Sequence, residues 1–308
     1  MQGLRSRSAI VVAVVLAIAG SYPAQAGAVE VKGQAVSVDQ LDSAATARYW
    51  TADRMAAATP SGHAAVAGGP PPGTPTATEF TGVPTVGALF FADGSGNHYC
   101  SASVVNSLTR NLVLTAAHCV YSATSGSATT VEYVPGYHDG QRPYGVYPGK
   151  SVAVSDGWKQ RADINVDFAV LTVTPDPSTG RQVQAVTGGN WLGVDLGYDH
   201  QIEAIGHPMT TEEPVHCATR SFAAPVPSQL QFNCDPFPDG TSGGPFLIGY
   251  NPRRGSGIVI GVIGGYEQGG DFTWTSYSSY FDEKVLALYI SAELAQGRSV
   301  GAGSVVAP

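Results

Sequence analysis

From Phe80 onward the chain is a succession of short runs of β-forming residues cut by Gly, Pro, Asn and Asp, and this punctuation constrains the fold more than any other feature. The runs are Val83 to Phe91, Ser101 to Val105, Asn111 to Thr115, Thr129 to Val134, Phe168 to Val173, Gln201 to Ile205, Pro245 to Ile248 and Gly257 to Ile263. Strands this short and this closely spaced, with almost no helical periodicity, predict an all-β sandwich or barrel. One segment differs. Asp282 to Leu294 places Val285, Leu288, Tyr289 and Ala292 at helical spacing, and Asp282 and Glu283 suit a helix N-terminus.

The first residues read as an address. Arg5 and Arg7 precede an uncharged apolar run from Ala9 to Gly20, and Ala24-Gln25-Ala26 supplies a small-residue cleavage site, so residues 1–26 are expected to be a secretory signal peptide. The apolar run is too short for a membrane anchor, which needs about 20 residues. Residues 27–78 are rich in Ala, Gly, Pro, Ser and Thr and end in Gly68-Gly69-Pro70-Pro71-Pro72-Gly73-Thr74-Pro75. They are expected to form a pro-segment or linker, largely irregular because runs of Pro exclude helix and central strand. Ala45 to Ala58 could form one short helix around Tyr49, Trp50 and Met55. Lys and Arg total 16 against 24 Asp and Glu, a formal charge of −8, which offers phosphate backbones and anionic membranes no positive field. Nucleic acid and membrane are therefore not expected partners.

Chemistry concentrates in three places. Ser242 lies in Asp239-Gly240-Thr241-Ser242-Gly243-Gly244-Pro245, where glycines allow unusual backbone angles and close approach of a substrate. His118 lies in Leu114-Thr115-Ala116-Ala117-His118-Cys119, and Asp167 opens Asp167-Phe168-Ala169-Val170-Leu171. A nucleophilic hydroxyl, an imidazole to take its proton, a carboxylate to orient the imidazole and nearby N–H donors are what acyl-transfer hydrolysis requires. Gly240-Thr241-Ser242-Gly243-Gly244 also satisfies the nucleophile elbow of α/β-hydrolases, but that fold takes its histidine from after the serine. Every histidine here precedes Ser242. Three of the four cysteines have a histidine within two positions, yet adjacent side chains rarely reach one ion and no C-x-x-C pair occurs, so no metal and no cofactor are expected.

In the order His, Asp, Ser, with TAAHC, DFAVL and GTSGGP as their settings, these motifs resemble the trypsin/chymotrypsin-like serine peptidase family. The resemblance covers roughly Val83 to Leu294. It implies two six-stranded antiparallel β-barrels over residues 79–308, with a cleft between them and a closing C-terminal helix. It implies that Ser242 attacks, His118 shuttles the proton, Asp167 orients His118, and the backbone N–H groups of Gly240 and Ser242 bind the oxyanion. It pairs Cys100 with Cys119 as the family's histidine-loop bridge, which leaves Cys217 with Cys234. The expected activity is that of a secreted, extracellular, monomeric serine endopeptidase acting on polypeptides. The alternative is a catalytically weak homologue that serves as a binding protein.

The chain departs from the family in informative places. Thr241 stands where digestive members carry an Asp that pairs with a newly cut N-terminus, so the oxyanion loop is expected to be held without a buried ammonium, as in the bacterial secreted members. Gly206-His207-Pro208 and the approach to Ser242 resemble glutamyl-endopeptidase-like enzymes, but Ile263 occupies the place of their substrate-binding histidine. Pro236 falls at the expected base of the specificity pocket, and Gly264, Gly265 and Tyr266 at the segment expected to pair with substrate backbone. An uncharged side chain is the expected occupant of that pocket.

Overall fold

The computed structural model describes residues 10–11, 35–61, 66, 68–122, 126–208 and 213–298. The expected signal peptide therefore lies almost wholly outside the described residues. Every one of the eight expected runs forms a strand, among them Val86–Asp93, Gly96–Val105, Leu112–Thr115, Thr129–Pro135 and Ala169–Val173. These five and Tyr147–Ser155 make a closed barrel. Each strand pairs antiparallel with its neighbour, and Thr129–Pro135 meets Tyr147–Ser155 to complete the ring. Alternation fills its interior with buried Leu89, Val104, Leu112, Leu114, Tyr133, Tyr147 and Leu171.

The second unit is a sheet in the order Trp191–Val194, Ser256–Val262, Pro245–Asn251, His200–Gly206, Val215–Ala223, Gln229–Asn233, Thr275–Ser279. All its pairs are antiparallel except Trp191–Val194 against Ser256–Val262. Phe232, Phe237 and Phe246 pack edge to face inside it, with centroids 4.8 and 5.1 Å apart. Several of its strands carry little hydrophobic pattern. Thr275–Ser279 is Thr-Ser-Tyr-Ser-Ser, yet four of the five residues are buried, because their hydroxyls are satisfied. Ser278 Oγ accepts from Val262 N–H at 2.9 Å and donates to the Ser279 carbonyl at 2.9 Å.

The expected C-terminal helix runs Glu283–Arg298, with the Asp282 carboxylate accepting the Lys284 N–H at 2.8 Å. Its apolar stripe of Val285, Leu288, Tyr289 and Ala292 is buried, and Tyr289 donates to the Asn106 carbonyl at 2.8 Å.

Residues 27–78 contain more structure than their composition announces. Val36–Gln40 adds a strand to the open side of Tyr147–Ser155. The single short helix expected from Ala45 to Ala58 is instead two, Ser43–Tyr49 and Ala52–Ala56. The break falls at Trp50 and Thr51, where the Thr51 hydroxyl caps the second helix by accepting from Arg54 N–H at 3.3 Å. Trp50 and Met55 are buried against Phe90, Val134 and Tyr137 of the first barrel. Apolar anchors at this spacing order the segment despite its Gly and Pro.

Candidate active site

His118 is delivered by the end of the Leu112–Thr115 strand. The chain turns there through the buried Ala116 and Ala117, with Val120 and Tyr121 N–H both donating to the Ala117 carbonyl at 3.0 and 2.9 Å. The Cys100–Cys119 disulfide ties this turn to the neighbouring strand, and Cys217 is bonded to Cys234. Both bridges are those that the resemblance implied. Asp167 ends the short 3-10 turn Ile164–Val166 and enters the Ala169–Val173 strand, fully buried.

The two side chains meet. His118 Nδ1 donates to Asp167 Oδ2 at 2.8 Å, and His118 backbone N–H donates to Asp167 Oδ1 at 2.9 Å. Gly265 N–H donates to the same Oδ2 at 2.7 Å. Three donors thus converge on a wholly buried carboxylate. They also assign the Nδ1–H tautomer, which leaves Nε2 as the basic ring nitrogen. That Nε2 is buried and has no hydrogen-bond partner among the described residues.

Ser242 sits on the opposite wall. Ser101 N–H donates to the Ser242 carbonyl at 2.7 Å, and the Gly243 backbone lies against Ser101, Thr115 and Ala116. Gly243, next to Ser242, thereby lies against Ala116, two positions before His118, and the Ser242 hydroxyl makes no bond to Nε2. Gly240 has φ +92° and Gly243 φ +81°. A side chain at Gly240 would put its Cβ 2.6 Å from the His207 carbonyl, so neither the angle nor the space admits another residue. Gly243 N–H donates to the Ile263 carbonyl and Gly244 N–H to that of Thr241. Gly240 and Ser242 N–H groups have no protein acceptor among the described residues. The site thus offers two free donors beside a serine.

The residues expected to shape the specificity pocket are distributed as follows around Ser242. One end of the cleft is lined by Phe237, Thr241, Ser242, Ile263, Gln268 and Phe272, among others. Ile263 is there as expected. Pro236 is not among the lining residues, and its neighbour Phe237 is. Gly264, Gly265 and Tyr266, expected to pair with substrate backbone, follow Ile263 in the chain. Their N–H groups are spent within the chain, on the Tyr277 carbonyl at 2.9 Å, on Asp167, and on Gln229 Oε1 at 3.0 Å. Sequence reading also missed Ser279, whose hydroxyl accepts from Asp167 N–H at 3.1 Å, and Trp158, whose ring lies 6.5 Å from that of His118. Neither sits in a motif. Among the described residues, Cys100, His118 and Cys119 form a cluster with metal-ligand composition, but the two sulfurs are bonded to each other and offer no thiolate.

A histidine carried by a closed six-stranded barrel and a glycine-flanked serine carried by a second, mostly antiparallel sheet is an arrangement found in the chymotrypsin-like serine peptidases. Residues 100–262 match the trypsin-like peptidase domain family, and the chain belongs to it. Over 90 residues the chain is 33% identical to a Bacillus subtilis (strain 168) protein named as an extracellular metalloprotease, a match that spans 29% of this chain and only 28% of that relative. Among solved structures, the protease Anisep from Arthrobacter nicotinovorans superposes with a TM-score of 0.64 at 24% identity, over 71% of this chain and 100% of that one. A thermostable serine protease from an extremophilic microorganism gives 0.62 at 24% identity over 68% and 97%. A Glu endopeptidase gives 0.56 at 15% identity over 72% and 98%. At these identities the solved structures speak to the fold alone. No helix among the described residues is long and apolar enough to cross a membrane.

Proposed function

We propose that the chain is a secreted serine endopeptidase that cleaves polypeptides through an acyl-enzyme, with Ser242 as nucleophile, His118 as general base and acid, and Asp167 as the group that orients His118. The observation that carries this reading is the three-donor clamp on Asp167, which leaves Nε2 as the basic ring nitrogen without a partner of its own. Substrate binding closes the Ser242–His118 bond by side-chain rotation, since such contacts tighten in the complex. Proton transfer to Nε2 frees the hydroxyl oxygen to attack the carbonyl carbon. The oxyanion then takes the free N–H groups of Gly240 and Ser242, and the proton on Nε2 passes to the leaving amine. Water repeats the sequence on the ester.

Secretion is supported by the address-like first residues, by two disulfides, and by a relative named as extracellular. The experiment is covalent labelling by a phosphonofluoridate. Stoichiometric labelling of Ser242, absent in Ser242→Ala, is the expected result. A folded protein that does not label is the binding-protein alternative.

Residues 27–78 are read as a pro-segment that covers the cleft. Thr59–Pro60 pairs parallel with His98–Tyr99, and Ser61 lines the His118 side of the cleft. Val66 N–H donates to the Asp271 carbonyl at 2.6 Å, and Gly68 lies against Phe272, at the Ser242 side. The mechanism fixes substrate polarity: the leaving amine must face His118 and the acyl side chain the cavity beside Ser242. A substrate therefore runs from Phe272 toward His118. The segment runs the other way, so it covers the site without presenting a bond in cleavable register. Its removal should raise the labelling rate of Ser242; equal rates before and after removal would contradict the reading.

A further inference from the structure

We infer that Ser101 is a positioning residue for the oxyanion donors, an assignment that rests on the serine peptidase reading above. Within the Gly240 to Ser242 loop, the local hydrogen bonds hold Thr241 and leave the carbonyls of Gly240 and Ser242 to partners outside it. Gly240 sits at φ +92° without a side chain, and the bonds of Thr241 are neutral and local: its hydroxyl and N–H both donate to the Pro238 carbonyl, at 2.7 and 3.2 Å, and its carbonyl accepts from Gly244 N–H at 2.9 Å. No charged pair braces it at position 241. The brace comes from the first barrel instead.

Ser101 is fully buried in the Gly96–Val105 strand and its polar groups converge on this loop. Its N–H donates to the Ser242 carbonyl at 2.7 Å, and its Oγ donates to the Gly240 carbonyl at 2.9 Å. The same Oγ accepts from His207 N–H at 2.8 Å, and the Ser101 carbonyl accepts from Thr115 Oγ1 at 2.9 Å. Ser101 thus holds the carbonyls of the two residues whose N–H groups are free. Each carbonyl belongs to the peptide that follows its residue, so fixing both restrains ψ at Gly240 and Ser242 and, through each Cα, limits how far the preceding N–H can swing. Deleting the hydroxyl would leave the Gly240 carbonyl and His207 N–H without partners in a dry interior. A loop hinged on a glycine can then turn its peptide to find others. The specificity cavity beside Ser242 has no Ser101 in its wall, so ground-state binding should be spared.

The test compares mature wild type with Ser101→Ala, active sites being counted by phosphonofluoridate titration so that unfolded molecules do not enter kcat. Losing a whole oxyanion donor costs about 10²–10³ in turnover, and mis-aiming both should cost roughly tenfold or more in kcat with little change in KM. Affinity for a peptide boronate, whose tetrahedral oxygen takes the same N–H groups, should fall by a similar factor. Ser101→Thr, which keeps the hydroxyl, should stay near wild type in both. Ser221→Ala removes an equally buried hydroxyl, bonded to the Tyr198 carbonyl at 2.7 Å in the second sheet, and should leave both constants unchanged. Should Ser101→Ala not fold, Ser101→Gly deletes the same oxygen and carries the comparison. Unchanged kcat and boronate affinity in the variant, a rise in KM alone, or an equal loss in Ser101→Thr would overturn the assignment. Wild type that fails to titrate would instead overturn the peptidase reading itself.

Discussion

Gly265 N–H donates to the Asp167 oxygen that also accepts His118 Nδ1–H, so a carboxylate carried by the first barrel is clamped by a peptide of the second. The orientation of the imidazole therefore depends on the docking of the two units.

Asp167→Asn tests that clamp. An amide cannot satisfy three converging donors, because one of its two polar atoms is itself a donor. Turnover should drop by about 10⁴ through the wrong histidine tautomer, and stability by about 1–3 kcal/mol through an unpaired buried group. Steady-state kinetics and urea unfolding measure the two separately. A variant that retains a tenth of wild-type turnover would remove Asp167 from its role.

Gly243→Ala tests the packing of the nucleophile loop. The added Cβ would overlap the Ser101 carbonyl and the Thr115 hydroxyl at a φ of +81°, combining overpacking with backbone strain. The expected loss is about 3 kcal/mol, seen as a fall in Tm. Gly140→Ala, where φ is +70° but no atom lies within 4 Å, should lose less, and equal losses would contradict the steric argument.

Two buried groups should shape stability against pH in opposite senses. Burial lowers the His207 pKa to about 4, so between about 4 and its unfolded value of roughly 6.5 the unfolded chain binds more protons. His207 therefore withdraws about 3 kcal/mol of stability as pH falls through that window. Burial raises the Glu132 carboxyl to about 8, so the folded chain holds the extra proton from about 4.5 to 8, and stability falls as pH rises through it. Glu132→Gln should flatten the alkaline decline in urea midpoint, and His207→Gln the acid one. Parallel profiles for wild type and both variants would refute these assignments.

The Cys217–Cys234 bridge closes a separation of 17 residues, for which the chain-entropy relation gives about 3 kcal/mol. The double serine variant should unfold at lower denaturant by that amount. Its kcat should be little changed, because the bridge lies in the second sheet, away from the His118–Asp167 pair.

The triad candidates were legible because their chemistry imposes local sequence. A serine between glycines at positive φ, a histidine after a buried strand and an acid at a strand entrance each leave a signature several residues long. The strands of the second sheet were less legible. Thr275–Ser279 and Gln229–Asn233 are polar in composition and become core only because hydrogen bonds across the sheet satisfy them. The wall of the cavity beside Ser242 was less legible for another reason: counting back from Ser242 indicates Pro236, whereas Phe237, one position on, is among the lining residues with Ile263, because which residue borders the cavity depends on how the loop runs.

By itself the sequence determined the all-β class, the closing helix and the three residues with chemistry to perform, since periodicity, turn residues and nucleophile settings are local properties. The tertiary structure alone decided what surrounds them. Gly265 and Ser279 bind Asp167, Ser101 binds the nucleophile loop, and Thr59–Pro60 lies along the cleft. These contacts join residues 39 to 139 positions apart, and no local pattern encodes a hydrogen bond whose two partners meet only when distant parts of the chain pack.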